Sequence, residues 1–322
     1  MITQDLLDAL NDWATILGAG ATAGAELPGR ELWPVAAEDG SLYYLKRLGP
    51  WRNLPVADEA RVLRWLSHNG IGVAEFMITD RARLFAGEVE DSFVLIPRIA
   101  SDQLGPSEVL GMEEAVGAAI AELHQQLAAY PRSVSSYTEQ LAVALGGELR
   151  LPPDIAAGFA ERRAAMVALI ERQPVQLVHG DLTPDNVLLR RPAAVAGFID
   201  FDHLPIAPRI WELGRYLSRR IRLRWQGIER AQHRLEHIQP LIRGYQAVSP
   251  LTGAELDALS AMILAGNLIE VSYGQQIADG VLERRMLPDH HEVLTDAIEA
   301  TRWQLAHEGD VENVVRSAVR SS

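Results

Sequence analysis

The chain has 322 residues, enough for two domains that each bury a core, and its 48% hydrophobic and 23% charged composition is typical of a globular protein. A formal net charge of −13 argues against a nucleic-acid partner, because such a partner needs a basic surface. The absence of cysteine excludes disulfides, zinc–thiolate sites and cysteine nucleophiles.

No apolar run reaches the roughly 18 residues that a membrane-spanning helix needs, so the sequence predicts no membrane partner. The first residues, MITQDLLDALNDW, carry three aspartates and no basic stretch, a pattern that does not fit a signal peptide. We therefore expect a cytoplasmic protein. Neither the composition nor the charge indicates an oligomeric state.

The first part of the chain favours a short helix and a small antiparallel sheet. Apolar residues recur at helical spacing over residues 6–17, and three strands are predicted over residues 25–47. The Asp-Gly pair at residues 39–40 is a strong hairpin signal between the last two of these strands. Residues 92–96 form a further apolar run that predicts a buried strand.

Two charged residues lie at notable positions in this region. Lys46 ends the third predicted strand, and Glu59 lies early in a helix predicted over residues 57–66. Taken alone, Lys46 is typical of an edge-strand charge, and Glu59 is typical of a solvent-exposed helix face.

A change in composition at residues 100–106 predicts the boundary between a first domain, residues 1–98, and a second, residues 99–322. The second domain is predicted to be mainly helical. Its helices are expected over residues 112–127, over residues 154–171, from Arg209 onward and in the tail.

Arg215, Arg219 and Arg222 recur at helical spacing in the helix predicted to begin near Arg209. This pattern leaves open an anion-binding site or a solvent-exposed, ion-paired face, and we favour the exposed face. His124 lies on an apolar helix and is interpreted as a packed core histidine.

The most informative stretch is QLVHGDLTPDNVLLRRPAAVAGFIDFD, residues 176–202, which reads as a strand, a polar loop and a short hairpin. This arrangement is expected to bring Asp181, Asn186 and Asp200 to the strand ends. Two carboxylates about 4 Å apart repel by roughly 4 kcal/mol at an effective dielectric of about 20, so such a cluster favours a bound cation. These hard oxygen ligands predict Mg²⁺ with a phosphate, and therefore a phosphoryl-transfer centre.

HGDLTPDN at residues 179–186, followed by IDFD at residues 199–202, resembles the signature of the aminoglycoside phosphotransferase and choline kinase-like superfamily. Gly180, in place of the arginine of protein kinases, supports this small-molecule branch. GYQAVSPLTGAELDAL, from Gly244 onward, is most similar to homoserine kinase-like members. The resemblance covers nearly the whole chain. It implies an α+β, bilobal protein-kinase-like fold with an antiparallel-sheet N-lobe and a mainly helical C-lobe.

The resemblance also implies the catalytic and metal-binding roles. Asp181 would accept or orient the proton of the substrate hydroxyl. Asn186 and Asp200 would hold Mg²⁺ against the nucleotide phosphates. Lys46 would be a second catalytic residue that contacts the α- and β-phosphates, fixed by an ion pair with Glu59.

Further positions are expected to bind the nucleotide. Gly29, in the turn over residues 27–30, would let backbone amides cover the phosphates, although this loop is poor in glycine. Backbone groups of Ile96 and Arg98 would meet the adenine, because Pro97 between them has no N–H.

The resemblance leaves several nearby positions open. Asp202 could bind a second metal or the substrate, or it could cap the next helix. His179 is expected to brace the loop by hydrogen bonding. Glu212 stands where the family has an aspartate, so its bracing role depends on one extra methylene. The candidates for lining a substrate pocket are Trp225, Asn267, Glu270 and Tyr273.

We therefore predict an ATP-dependent phosphotransferase that phosphorylates a hydroxyl of an amino alcohol, a sugar or an aminoglycoside, with GTP also open as the donor. Only about ten residues separate Asp200 from Trp211, too few for the activation segment of a protein kinase. The alternative is a pseudokinase-like nucleotide-binding or scaffold module without turnover. Loss of Lys46, Asp181, Asn186 or Asp200 would favour that alternative, and all four are present.

Overall fold

The structure is a computed structural model that describes residues 4–28, 30–49, 52, 54–88, 91–222, 235–282 and 290–320. The chain divides into two compact units. The first consists of Met1–Ser101, Tyr130–Ser136 and Ala196–Leu204, and the second of Asp102–Ala129, Tyr137–Val195 and Pro205–Ser322. The sequence predicted a single cut between residues 98 and 99, whereas the first unit also takes in two later segments.

The first unit contains a five-stranded antiparallel sheet in the order β1-β2-β3-β5-β4. Its strands are β1 (Thr22–Ala23), β2 (Leu32–Ala36), β3 (Leu42–Leu48), β4 (Ala86–Glu88) and β5 (Asp91–Pro97). The predicted Asp-Gly hairpin connects β2 and β3, where Gly40 N–H donates to Ala37 O at 3.0 Å. Gly40 has a φ of 86°, a left-handed conformation that glycine adopts without steric cost. This register places Lys46 opposite Leu32 and Val94, in the middle of the sheet.

The predicted helix over residues 6–17 is two short helices, α1 (Gln4–Asn11) and α2 (Ala14–Leu17). The interruption falls at Trp13, whose φ of −120° and ψ of 28° are not helical. Trp13 is fully buried, and its indole Nε1 donates to Met77 O at 2.9 Å. Docking of this large ring into the core has overridden the helical periodicity, since tertiary packing outweighs local propensity. The helix predicted over residues 57–66 is confirmed as α3 (Val56–His68).

The second unit is mainly helical, as predicted. Its helices are α4 (Pro106–Leu110), α5 (Glu113–Ala128), α6 (Leu141–Gly146), α7 (Pro153–Ala160), α8 (Arg163–Glu171), α9 (Arg209–Arg220), α10 (Ile238–Val248), α11 (Gly253–Ala278), α12 (His290–Ala306) and α13 (Glu308–Arg320). Two short strand pairs complete the topology: β6 (Val175–Leu177) with β9 (Ile206–Pro208), and β7 (Val187–Arg190) with β8 (Ala194–Phe198). None of the helices within the described ranges is long and apolar enough to cross a membrane.

The single helix predicted over residues 154–171 is wrong, because the chain turns between α7 and α8. In a continuous helix the N–H of Arg162 would bond to Gly158 O. Instead the Arg162 guanidinium donates to that carbonyl at 2.8 Å, and the Arg162 N–H donates to Phe159 O. The side chain thus replaces the backbone donor at this position.

Helices α5 and α10 cross at glycines. A Cβ added to Gly117 of α5 would lie 1.9 Å from Leu241 O, and one added to Gly244 of α10 would lie 1.8 Å from Glu114 O. Real Cβ atoms do not approach a backbone oxygen so closely, so this pair of helices requires hydrogen at both positions.

We expect Gly117→Ala to lower the free energy of unfolding by about 1–3 kcal/mol, because the helices must separate to admit the methyl group. Urea unfolding followed by circular dichroism measures this change. Gly309→Ala is the matched control, since Gly309 of α13 has no atom within 4 Å of an added Cβ. Stability should be unchanged or slightly raised there. Equal stabilities of the Gly117→Ala variant and the wild type would contradict the close helix crossing.

Candidate active site

In the first unit, a lysine and two aspartates lie close together. Lys46 of β3 hydrogen-bonds through Nζ to Asp200 Oδ1, and this contact is an ion pair. Asp200 follows β8 with a φ of 71°, a left-handed conformation that aspartate tolerates better than most residues. Asp202, two residues later, is buried. The predicted Mg²⁺ ligand is therefore placed beside the predicted phosphate-binding lysine.

The electrostatics of this cluster favour a bound cation. Burial and the neighbouring charge of Asp200 raise the pKa of Asp202 above its ordinary range. Burial alone would lower the pKa of Lys46, but the charges of Asp200, Asp202 and Glu59 outweigh it, and the net shift is upward. Two carboxylates as close as those of Asp200 and Asp202 are stabilised by added positive charge. Their oxygens suit a divalent cation that also binds phosphate.

The predicted ion pair between Lys46 and Glu59 is wrong in this structure. Glu59, on α3, is bonded instead to the guanidinium of Arg52, and both side chains are buried. Burial raises the pKa of Glu59, although the charges of Arg52 and Lys46 oppose this shift. Lys46 is paired with Asp200 instead.

The loop of the predicted catalytic aspartate belongs to the second unit. Asn186 ends a single 3₁₀ turn, and its Nδ2 donates to Asp181 O at 2.7 Å and to Asp181 Oδ2 at 3.2 Å. Arg215 of α9 holds the other side of the loop. Its Nη1 donates to Gly180 O at 2.8 Å and its Nη2 donates to Asp181 Oδ1 at 2.7 Å. The carboxylate of Asp181 is therefore fixed from two directions.

Glu212, near the start of α9, also hydrogen-bonds to the backbone of this loop. Its carboxylate accepts the backbone N–H of His179 at 2.9 Å and also that of Gly180. It further contacts His124 Nε2 at 3.0 Å, while His124 Nδ1 lies 2.8 Å from the hydroxyl of Tyr245. Glu212 therefore makes the expected contacts with the loop despite its extra methylene. His124 is buried, as predicted. His179 is also fully buried, and its Nδ1 accepts the N–H of Asp181 at 3.3 Å.

The interpretation of the arginines as a solvent-exposed face is wrong. The side chain of Arg222 is only 1% exposed and that of Arg219 is 16% exposed. Arg219 Nη2 donates to Glu270 Oε2 at 2.9 Å, and Arg222 donates to Asn267 Oδ1 at 3.2 Å. Glu270 and Asn267, predicted as pocket-lining candidates, are thus engaged by arginines, whereas Trp225 lies outside the described residues.

The positions predicted for the nucleotide base are on or beside β5. Ile96 pairs with Tyr44 in the sheet. The N–H of Arg98 donates to Leu42 O at 2.9 Å. Because this N–H is already used within the protein, only the backbone carbonyl of Arg98 is left to bond to a nucleotide base. The turn at residues 27–30 is closed by the N–H of Arg30, which donates to Leu27 O at 3.0 Å. Gly29 itself lies outside the described residues.

The sequence interpretation missed Arg52, and it favoured a solvent-exposed face for Arg215 instead of a contact with Asp181. Arg215 could have been found, because it follows Glu212 by three positions and so lies on the same face of the helix. No comparable signal exists for Arg52, which lies outside any helix or strand seven positions before its partner Glu59. Among the described residues, no three histidine, aspartate or glutamate side chains could hold a metal ion by themselves. A metal bound by the carboxylates of Asp200 and Asp202 would therefore need further oxygen ligands, which the phosphates of a nucleotide can supply.

The pKa of Glu212 gives a testable dependence of stability on pH. Burial would raise this pKa, but the hydrogen bond from His124, the charges of His124 and His179 and the His179 N–H outweigh it, so the net shift is downward from 4.5. A lowered folded-state pKa stabilises the fold above pH 4.5, and this contribution is lost as the pH falls through the folded-state value.

Glu212→Gln keeps the shape of the side chain but turns an amide NH₂ toward a backbone N–H. We expect Glu212→Gln to cost about 1–3 kcal/mol of unfolding free energy at neutral pH, because one buried donor is left without a partner. The difference from the wild type should shrink below pH 4.5. Urea unfolding at a series of pH values measures it, and Glu114→Gln, at an exposed position of α5, is the control. A difference that grows on acidification would disprove the assigned role of the Glu212 charge.

Comparison with known proteins places the chain in a family. The model of the phosphotransferase enzyme family matches residues 42–251, well over half of the chain. The homoserine kinase of Chelativorans sp. (strain BNC1) is 30% identical over 151 residues. That match spans 45% of this chain and 45% of the kinase, less than half the length of this curated relative.

Two solved structures are similar over most of their length. The microcompartment-associated aminopropanol kinase has a TM-score of 0.71 at 12% identity, covering 95% of this chain and 97% of its own. An amicoumacin kinase in complex with AMP-PNP, Ca²⁺ and Ami has a TM-score of 0.66 at 18% identity, with 89% of each chain covered. At such identities these likenesses establish the fold, so the predicted α+β, protein-kinase-like fold is confirmed. The match of the family model over residues 42–251 shows that the chain belongs to the phosphotransferase enzyme family.

Proposed function

We propose that the protein transfers the terminal phosphoryl group of ATP to a hydroxyl of a small molecule. The observation that carries this proposal is the Lys46–Asp200 contact beside the buried Asp202, in a chain of the phosphotransferase enzyme family. Lysine and paired carboxylates at one place suit a metal-bound polyphosphate. The amicoumacin kinase of similar fold was solved with AMP-PNP and Ca²⁺, which supports a nucleotide and a divalent metal here.

The proposal assigns the first unit to the nucleotide. Lys46 contacts the α- and β-phosphates, and Asp200 is a ligand of Mg²⁺, with Asp202 available for a second metal or for the substrate. When bound, the metal offsets the charge that develops on the transferred phosphoryl group. The ion pair between Glu59 and Arg52 holds helix α3 in place, and the charge of Glu59 adds negative potential near Lys46. Backbone groups of Ile96 and the carbonyl of Arg98 face the base.

The proposal assigns the second unit to the acceptor. Asp181 receives the hydrogen bond of the acceptor hydroxyl and takes its proton as the new P–O bond forms and the bond to the leaving ADP oxygen breaks. Arg215 and Asn186 keep the Asp181 carboxylate in one orientation, which is a requirement for an in-line attack. Asn186 also offers its amide oxygen as a second ligand of Mg²⁺. Glu212 holds the backbone just before Asp181 by accepting the N–H groups of His179 and Gly180.

Asp181→Asn tests the acceptor side. We expect nucleotide binding to be unchanged and turnover to fall by about 10²–10⁴-fold, since the amide cannot accept the proton. A coupled assay of ADP release over amino alcohols, sugars, hydroxy acids and aminoglycosides measures turnover. Asp257→Asn, at an exposed position of α11, is the matched control. Full activity of the Asp181→Asn variant would refute the role of Asp181, and tight nucleotide binding without turnover of any acceptor by the wild type would favour a binding module.

Asp200→Ala tests the nucleotide side. We expect the affinity for an ATP analogue in the presence of Mg²⁺ to fall by roughly 10- to 100-fold, the usual effect of disturbing a metal site. Without Mg²⁺ the variant should bind the analogue at least as tightly as the wild type, because Lys46 has lost its ionic partner. Calorimetric titration with and without Mg²⁺ measures both affinities, and Asp5→Ala in α1 serves as the exposed control. An equal loss under both conditions would contradict the assignment of Asp200 as a metal ligand.

A further inference from the structure

Residues 200–204, which carry both aspartates of the proposed metal site, have a left-handed backbone at each end. The φ of Asp200 is 71° and the φ of Leu204 is 40°. Aspartate tolerates this conformation, whereas it is costly for leucine. Leu204 is also fully buried, so its backbone cannot relax without moving a packed side chain. A conformation of this kind persists only where the surrounding contacts hold it.

One contact that holds Leu204 comes from a distant part of the chain. Its backbone carbonyl accepts the hydroxyl of Ser136, which lies 68 positions earlier in the sequence. Ser136 ends the Tyr130–Ser136 segment, which belongs to the first unit although it follows helix α5 of the second. The backbone of the two aspartates is therefore tied, through Leu204, to a segment that the sheet and its connections do not include.

The Tyr130–Ser136 segment is also fixed to helix α3. The N–H of Ser135 donates to Asp58 Oδ2 at 2.8 Å, and the Asp58 side chain, which is only 6% exposed, is bonded to Arg61 as well. The ring of Tyr130 packs edge-on against that of Trp65, with the ring centroids 6.1 Å apart. A buried carboxylate and an aromatic pair thus hold the segment against one helix.

Two consecutive serines therefore join two elements of the first unit that carry charged site residues. Ser135 binds α3, the helix of Glu59, and Ser136 binds residues 200–204. A tight turn, in which Ser136 N–H donates to Val134 O at 2.8 Å, brings the two contacts next to each other. The position of the aspartates relative to α3 is consequently set by a short, internally bonded piece of chain.

We propose that the Tyr130–Ser136 segment positions the aspartates for the metal, with Ser136 and Asp58 as its positioning residues. Ser136 fixes the backbone of residues 200–204, and Asp58 fixes the segment that carries Ser136. Both residues act through the backbone of Leu204 and not by contact with the metal or the nucleotide. This inference rests on the proposed phosphotransferase function and adds the part of the fold that sets the geometry of its metal site.

Ser136→Ala tests the positioning role. We expect the affinity for AMP-PNP with Mg²⁺ to fall by about 10-fold, the lower end of the range for loss of a group that orients a metal ligand. Without Mg²⁺ the affinity should be unchanged, because Lys46, the expected phosphate ligand, lies on β3. Calorimetric titration under both conditions measures the change. Ser133→Ala, at an exposed position of the same segment, is the matched control and should bind as the wild type does.

Ser136→Thr separates positioning from packing, because threonine keeps the hydroxyl. This variant should retain most of the Mg²⁺-dependent affinity that Ser136→Ala loses, and urea unfolding reports the stability of both variants. Lower stability of Ser136→Ala with the wild-type affinity for AMP-PNP and Mg²⁺ would make the contact structural only and overturn the proposal. An equal loss of affinity with and without Mg²⁺ would overturn it too, as would equal losses in Ser136→Ala and Ser136→Thr.

Asp58 provides a second test through a double-mutant cycle. Asp58→Ala should lower the same Mg²⁺-dependent affinity, whereas Asp58→Asn should not, because its amide oxygen still accepts the N–H of Ser135. In the double variant with Ser136→Ala, the loss should be no greater than the larger single loss, since both residues act through one segment. Fully additive losses would show two independent effects and would contradict the proposal.

Failure of the proposed function would give a different result. If Mg²⁺ did not change the affinity of the wild type for AMP-PNP, the metal site would be refuted, and this inference with it. If Mg²⁺ raised the affinity equally in the wild type and in Ser136→Ala, the metal site would stand and only the positioning role would be refuted.

Discussion

One buried carboxylate holds the loop of Asp181 in place. Glu212 is 1% exposed, accepts two backbone N–H groups from consecutive residues, and is itself held by a histidine from another helix. Removing a carboxylate from water is costly, and only a full set of donors recovers that cost. Because the donors are the loop's own amides, the geometry of Asp181 depends on where α9 packs. Arg215, one helical turn later, then reaches the loop from the same helix face.

The two units use opposite electrostatic designs. In the first, carboxylates crowd around a lysine, and burial raises the pKa of Asp202, so the place favours added positive charge. In the second, arginines of α9 are paired with carboxylates, Arg215 with Asp181 and Arg219 with Glu270. The overall charge of −13 reveals neither arrangement, because each depends on a few side chains.

The sequence could predict what is encoded by short-range spacing. The loop of Asp181 and Asn186, the aspartate proposed as the metal ligand and the α3 helix follow from local patterns, and the family follows from the loop. It could not predict which partner a charge takes. Lys46 bonds to a residue 154 positions away, and Glu59 bonds to an arginine outside any helix or strand. The arginines of α9 look alike in sequence whether exposed or buried, because only the packing of α11 decides which face is covered. Trp13 likewise ends a helix through a contact with Met77, 64 positions away.

The first unit is discontinuous in sequence, and this has a consequence for synthesis on the ribosome. Its sheet is encoded before residue 98, but the segment Ala196–Leu204 that carries Asp200 emerges roughly one hundred residues later. That segment is tied back by Phe198 N–H, which donates to Gly72 O at 2.8 Å. Until it arrives, the ammonium of Lys46 lacks its aspartate and the nascent sheet lacks this contact. Closing so long a loop is slow and entropically costly. Completion of the first unit therefore waits for much of the second to be translated, and the two cannot mature as independent, sequential domains.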